Sequence, residues 1–198
     1  MNKILLSLAL VVSMIDSALG QESFTRTKPN MVSTGSEKII MIGSIGISLS
    51  EIRDTTSTDT YLRLWRKIDS KWNAETVDTV GYLYNSYLYL YKSSKTSEYL
   101  IICESESEFY SNFNLYYLKD SLFSKIGDMP IQSTCNDCDD STYPIQELKI
   151  QNRGNEILIK PLVPFMYDIG DHNWMSFKPK EAYLIIDKKS KEIIMHKR

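Results

Sequence analysis

The stretch TVGYLYNSYLYLY, residues 79–91, carries the clearest strand pattern in the chain. Tyrosine occupies every second position on either side of Asn85-Ser86, and the alternation changes phase at that dipeptide. Alternation with a period of two is typical of a β-strand, because successive side chains point to opposite faces of a sheet. The phase change predicts a bulge or a tight turn at Asn85-Ser86.

Short apolar segments of the same kind lie on both sides of this stretch, separated by turn residues at a spacing of about ten residues. The predicted strands cover residues 38–49, 61–68, 98–104, 114–118, 122–126, 145–150, 156–163, 183–186 and 193–195. Turn residues at 119–121, 152–155 and 187–191 predict three hairpins. The pattern therefore predicts a single all-β domain of short antiparallel strands, arranged as a sandwich, a barrel or a propeller-like meander.

Two predicted strands have distinctive patterns. Residues 38–49 contain Gly43 and Gly46, which indicate a bulge or a bend. Residues 99–103 are apolar without interruption, which is typical of a strand covered on both faces. The alternating carboxylates that follow, from Glu104 to Glu108, predict a charged outer face that discourages pairing between sheet edges.

The first twenty residues have the layout of a cleaved signal peptide. Lys3 precedes an apolar run over residues 4–15, and Ala18-Leu19-Gly20 ends it with small residues. This run is shorter than the about 20 apolar residues of a membrane-spanning helix, so no stable membrane span is expected. We therefore expect a secreted, periplasmic or cell-envelope protein. Residues 21–37 are predicted to form a flexible polar lead, and residues 38–198 the folded domain.

Composition limits the possible partners. The formal net charge is −2, and charged residues of both signs are scattered along the chain. This balance argues against a nucleic-acid partner. No motif in the sequence indicates a cofactor or a metal site.

The cysteines give one local motif, Cys135-Asn136-Asp137-Cys138. A redox pair would need its first sulfur at a helix N-terminus, and a zinc site would need two further ligands. In an exported protein we expect a structural disulfide between Cys135 and Cys138, with Cys103 as a buried thiol. A disulfide between Cys103 and either Cys135 or Cys138 is the alternative pairing.

The loop over residues 168–173 holds the best catalytic candidates. His172 is placed to act as a general base oriented by Asp168 or Asp171. No G-x-S-x-G motif supplies a nucleophile. A secreted hydrolase built on this loop is the alternative function.

Aromatic residues favour a binding function over an enzymatic one. The chain has 13 tyrosines and 3 tryptophans. Tyr87, Tyr89 and Tyr91 share one side of a predicted strand, where they form either a binding face or core packing. We therefore expect a non-enzymatic domain that binds a protein, a glycan or an envelope component.

Overall fold

The computed structural model describes residues 22–34, 37–53, 58–82, 85–106, 111–133, 145, 147–171 and 173–198. These residues are all-β, with 74% of them in strands and no α-helix. Within the same ranges, no helix has the length and apolarity needed to cross a bilayer. The predicted signal peptide and the Cys135–Cys138 pair lie outside the described residues and stay predictions.

The described residues form seventeen strands. They are β1 (Ser23–Arg26), β2 (Asn30–Thr34), β3 (Glu37–Ile42), β4 (Ile45–Arg53), β5 (Thr58–Ile68), β6 (Lys71–Tyr82), β7 (Asn85–Ser93), β8 (Tyr99–Glu106), β9 (Ser111–Lys119), β10 (Leu122–Met129), β11 (Ile131–Ser133), β12 (Leu148–Arg153), β13 (Glu156–Pro161), β14 (Phe165–Asp168), β15 (Trp174–Phe177), β16 (Ala182–Asp187) and β17 (Ile193–Lys197).

These strands form three antiparallel sheets. The main sheet has nine strands in the order β10-β9-β8-β7-β1-β12-β13-β16-β17. The covering sheet has five strands, β2-β3-β4-β5-β6, and the end sheet has three, β11-β14-β15. The main sheet is nearly closed: a Cβ at Gly127 of β10 would lie 3.6 Å from Cδ1 of Ile193, at the start of β17.

Two hydrophobic cores lie on the two faces of the main sheet. The inner core fills its concave side and includes Phe165 and Phe177 of the end sheet. The outer core lies between β7, β8 and β9 and the covering sheet. Strand β8 serves both cores, with Leu100 and Ile102 in the inner one and Ile101 in the outer one. The prediction that residues 99–103 are covered on both faces is therefore confirmed.

The three predicted hairpins are present. They join β9 to β10, β12 to β13, and β16 to β17. Asp120 and Ser121, between β9 and β10, have φ angles of 49° and 65°. Positive φ at both central residues gives the turn the twist that an antiparallel pair needs. Aspartate tolerates this conformation better than most residues, because its short side chain can bond locally.

Two predicted strands are divided in the structure. The stretch 79–91 breaks after Tyr82, where the chain leaves the covering sheet and enters the main sheet at Asn85. Residues 38–49 form the hairpin of β3 and β4, with Gly43 at a φ of 61° in its turn. Glycine fits this position because it has no Cβ to clash in the left-handed region.

The structure differs from the predicted flexible lead over residues 21–37. Strand β1 lies in the middle of the main sheet, paired with β7 and β12, and Phe24 is buried in the inner core. Strand β2 pairs with β3 at the edge of the covering sheet. Backbone pairing and one buried aromatic side chain fix a segment whose composition is polar.

Residues 104–108 are predicted to form a charged outer face, but the first of them, Glu104, is buried. Glu104 is 1% exposed and lies in β8, which is flanked by β7 and β9. The hydroxyl of Tyr89 donates a hydrogen bond to its Oε2 at 2.5 Å. The strand is central in the sheet, so its inward positions are covered whatever their polarity.

Candidate functional site

A cleft of about 410 Å³ opens where β9 begins and β10 ends, beside the end sheet. Its size falls within the range of small-molecule sites, about 300 to 1,000 Å³. It is lined by Ser111, Asn112, Phe113, Asp128, Met129, Pro130, Ile131, Gln132, Asp168 and Trp174.

The floor of the cleft is apolar. Phe113, Met129 and Ile131 line it and are buried in the inner core. Pro130 joins β10 to β11 and carries the chain from the main sheet into the end sheet. The floor is therefore fixed by two sheets and does not depend on a loop.

One wall of the cleft is the hairpin of β14 and β15. Its register places Asp168 directly opposite Trp174. The Oδ1 atom of Asp168 accepts a hydrogen bond from the backbone N–H of Gly170 at 2.9 Å. The backbone N–H of Asp168 donates a hydrogen bond to the carbonyl of Pro130 at 3.0 Å. These bonds hold Asp168 in place, and the register of the hairpin puts the half-buried Trp174 beside it.

The rim of the cleft is polar and acidic. Asp128 and Asp168 are its two acidic lining residues, and Asn112 and Gln132 are its two amide residues. The ammonium of Lys125 lies 3.2 Å from Oδ1 of Asp128 and 3.0 Å from Oδ2 of Asp78. Burial acts to lower the pKa of Lys125, but the two carboxylates raise it overall, so this cation is already neutralised.

The cleft brings together only some of the predicted site residues. Asp168 lines it, whereas Asp171 is exposed in the loop that joins β14 to β15. His172 lies outside the described residues, so the proposed base stays a prediction. No local sequence pattern identifies the floor residues or Gln132 as a site, because the fold brings them together from separate strands.

No family model, curated protein or solved structure matches this chain.

The predicted tyrosine face is mostly core. Tyr89 is 7% exposed, Tyr91 is 2% exposed, and both belong to the inner core. The hydroxyl of Tyr91 donates to the carbonyl of Ile145 at 2.8 Å. Burial raises the pKa of Tyr91 to about 12. Of the three tyrosines only Tyr87, at 45% exposure, offers surface to a partner.

Cys103 is a buried free thiol in β8. Burial, followed by the charges of Asp78 and Glu104, raises its pKa to about 12. A thiol with so high a pKa is unreactive at neutral pH. Among the described residues, no group of three or more histidine, cysteine, aspartate or glutamate side chains is placed to hold a metal ion.

Proposed function

We propose that this protein is an exported, non-catalytic binding domain whose cleft takes a neutral glycan. The observation that carries the proposal is the pairing of Trp174 with Asp168 on one wall of the apolar-floored cleft. A sugar ring has an apolar C–H face and a rim of hydroxyl groups. An indole ring can pack on the C–H face, while carboxylates and amides bind the hydroxyl groups.

Charge favours a neutral ligand over an anionic one. The cleft presents Asp128 and Asp168, and Lys125 is already held between two carboxylates. Among the described residues that line the cleft, no lysine or arginine is present to bind an anionic ligand. The volume of about 410 Å³ suits a ligand of about one or two sugar units.

Export and a single domain are part of the same proposal. The signal-like order of charge, apolar run and small residues in residues 1–20 supports export. The inner and outer cores share β7, β8 and β9, which supports one folding unit. N-terminal sequencing of the native protein tests export: a start at Gln21 is expected, and a retained Met1 would contradict it.

The binding proposal is tested by calorimetry of the full protein against a panel of neutral mono- and disaccharides. Trp174→Ala should weaken binding about tenfold, because a buried aromatic anchor contributes more than about 1 kcal/mol. Trp72→Ala is the matched control, since Trp72 is also half-buried but lies in the covering sheet. Equal affinity of the two variants, or no binding by the natural protein, would overturn the proposal.

A hydrolase is the second candidate, because two carboxylates line the same cleft. Such a pair can serve as acid and base in the cleavage of a glycosidic bond. Mass spectrometry of each bound sugar after prolonged incubation separates the candidates. Intact sugar supports a binding domain. Cleavage that Asp168→Asn abolishes would establish the hydrolase.

A further inference from the structure

Positive charges form a row on the outer face of the main sheet, across β7, β1, β12 and β13. Lys92 of β7 pairs with Thr25 of β1, and Lys149 of β12 pairs with Lys160 of β13. The register of β1 with β12 pairs Phe24 with Ile150, which brings Thr25 beside Lys149. We call Lys92, Thr25, Lys149 and Lys160 the basic row.

The side chains of the basic row point away from the inner core. Their chain neighbours Phe24, Ile150 and Ile159 are buried in that core, and side chains alternate between the two faces of a strand. Lys92 and Lys149 are exposed. Adjacent strands lie about 4.8 Å apart, so the row crosses four strands over about 15 Å.

The row carries positive charge that the protein does not neutralise. Lys149 and Lys160 lie directly opposite each other, an arrangement that destabilises a sheet. Among the described residues, none of the three lysines of the row has a carboxylate within ion-pair distance. Burial lowers the pKa of Lys160, and the nearby charges of Arg198, Arg153 and Lys149 lower it further.

We propose that the basic row binds an acidic polysaccharide, a chain with repeated sulfate or carboxylate groups. Three cations in line across four neighbouring strands can face successive anions on a linear polymer. The positive charge is concentrated locally in this row, since the whole chain has a formal net charge of −2. A bound polyanion would relieve the repulsion between Lys149 and Lys160, which gives the unfavourable pair a function.

The aromatic rings beside the row argue against a single-stranded nucleic acid, which binds by stacking its bases on open aromatic faces. Tyr183 is stacked on His196, with ring centroids 5.4 Å apart, and the guanidinium of Arg198 lies 5.7 Å from its centroid. The ammonium of Lys92 lies 5.9 Å from the ring centroid of Tyr99. These rings are already engaged by cations or by histidine.

A membrane surface fits the row less well. Peripheral membrane binding combines basic residues with apolar side chains that enter the bilayer. The row itself consists of three lysines and one threonine, and Leu158, which shares this face of β13, is buried. A soluble polyanion needs no such insertion.

The proposal is tested with the full protein and fluorescently labelled dextran sulfate, with neutral dextran as the uncharged probe. Binding should be confined to dextran sulfate and should weaken steeply between about 50 and 200 mM salt. Lys149→Gln with Lys160→Gln should reduce affinity about tenfold or more, because each cation near an anionic surface contributes about a factor of five. The charge-matched control replaces Lys67 and Lys71, which are exposed in strands β5 and β6 of the covering sheet.

The outcomes separate the possible partners. Unchanged affinity in the double variant, relative to the control, would overturn the proposal. Tighter binding of single-stranded DNA or of anionic vesicles that depends on the same two lysines would also overturn the assignment to a polysaccharide. Lys149→Gln alone provides a second variant, because Lys149 is exposed and its replacement leaves the core intact. Trp174→Ala should not affect this binding, so failure of the cleft proposal is distinguishable.

Discussion

Replacing Glu98 with glutamine perturbs the buried ionic network at the end of the main sheet opposite the cleft. The Glu98 side chain is 6% exposed and lies 2.9 Å from Nζ of Lys119 and 3.6 Å from Nζ of Lys188. It also accepts hydrogen bonds from Nδ2 of Asn152 at 3.1 Å and from Tyr117. Glutamine preserves the size of the side chain and removes its charge.

The two lysines contribute unequally to the expected loss. Lys119 is 55% exposed, so solvent screens its ion pair and this pair contributes little to stability. Lys188 is 16% exposed and stays buried when its partner charge is removed. At 3.6 Å, and with an effective dielectric constant of about 20, the attraction is about 4.6 kcal/mol before desolvation is subtracted. We therefore expect Glu98→Gln to lower the free energy of unfolding by about 3 kcal/mol.

The same network makes stability depend on acid pH. Burial acts to raise the pKa of Glu98, but hydrogen bonds from Tyr117 and Lys119 and the charge of Lys188 lower it overall. A carboxyl group whose pKa is lowered by folding stabilises the protein above its unfolded pKa. This contribution is lost as the pH falls through the folded pKa. The loss therefore begins below the ordinary glutamate value of 4.5.

Urea unfolding at about pH 7 and about pH 4 measures both effects. The control is Glu192→Gln, since Glu192 is exposed between β16 and β17. At neutral pH the Glu98 variant should unfold at a lower urea concentration than the control. It should also lose less stability on acidification than the natural protein. A Glu98 variant within about 0.5 kcal/mol of the control at neutral pH would refute the reasoning.

Two further substitutions test packing and charge. A Cβ at Gly46 would lie 2.3 Å from Cγ2 of Ile39 and 3.3 Å from Cβ of Trp65, so Gly46→Ala should destabilise by about 1–3 kcal/mol in urea unfolding. Adding Ile39→Ala should recover part of that loss, and strictly additive losses would contradict the clash. Lys160→Glu should stabilise the ligand-free protein by about 0.5 kcal/mol in thermal unfolding, since it replaces a like-charge pair with Lys149 by an attractive one. A lower melting temperature would show that repulsion between Lys149 and Lys160 does not destabilise the protein.

Local sequence signals were sufficient for much of the fold. The hairpins at Asp120-Ser121 and Gly154-Asn155 follow from turn residues between alternating segments. The pattern does not show which strands share a sheet, because apolar and polar residues alternate in the same way in any antiparallel pair. Strand β1 in particular has few apolar residues, and its place depends on partners that lie far along the chain.

The candidate site could be predicted only in part. The loop at residues 168–173 was identified from its histidine and aspartates, and Asp168 does line the cleft. The other walls come from the start of β9 and from the junction of β10 with β11 at Pro130. No local pattern connects these segments. Their proximity exists only after the end sheet has packed against the inner core.

The position of β1 gives the folding of this chain an unusual order. Four strands, β7 to β10, lie on one side of β1, and four others, β12, β13, β16 and β17, lie on the other. Among the described strands, the one nearest the N-terminus is therefore the seam between two halves of the main sheet. Its pairing with β12 must wait until the C-terminal half of the chain has been made. Until then one edge of β1 stays open, and chaperones or proteases can reach it during that interval.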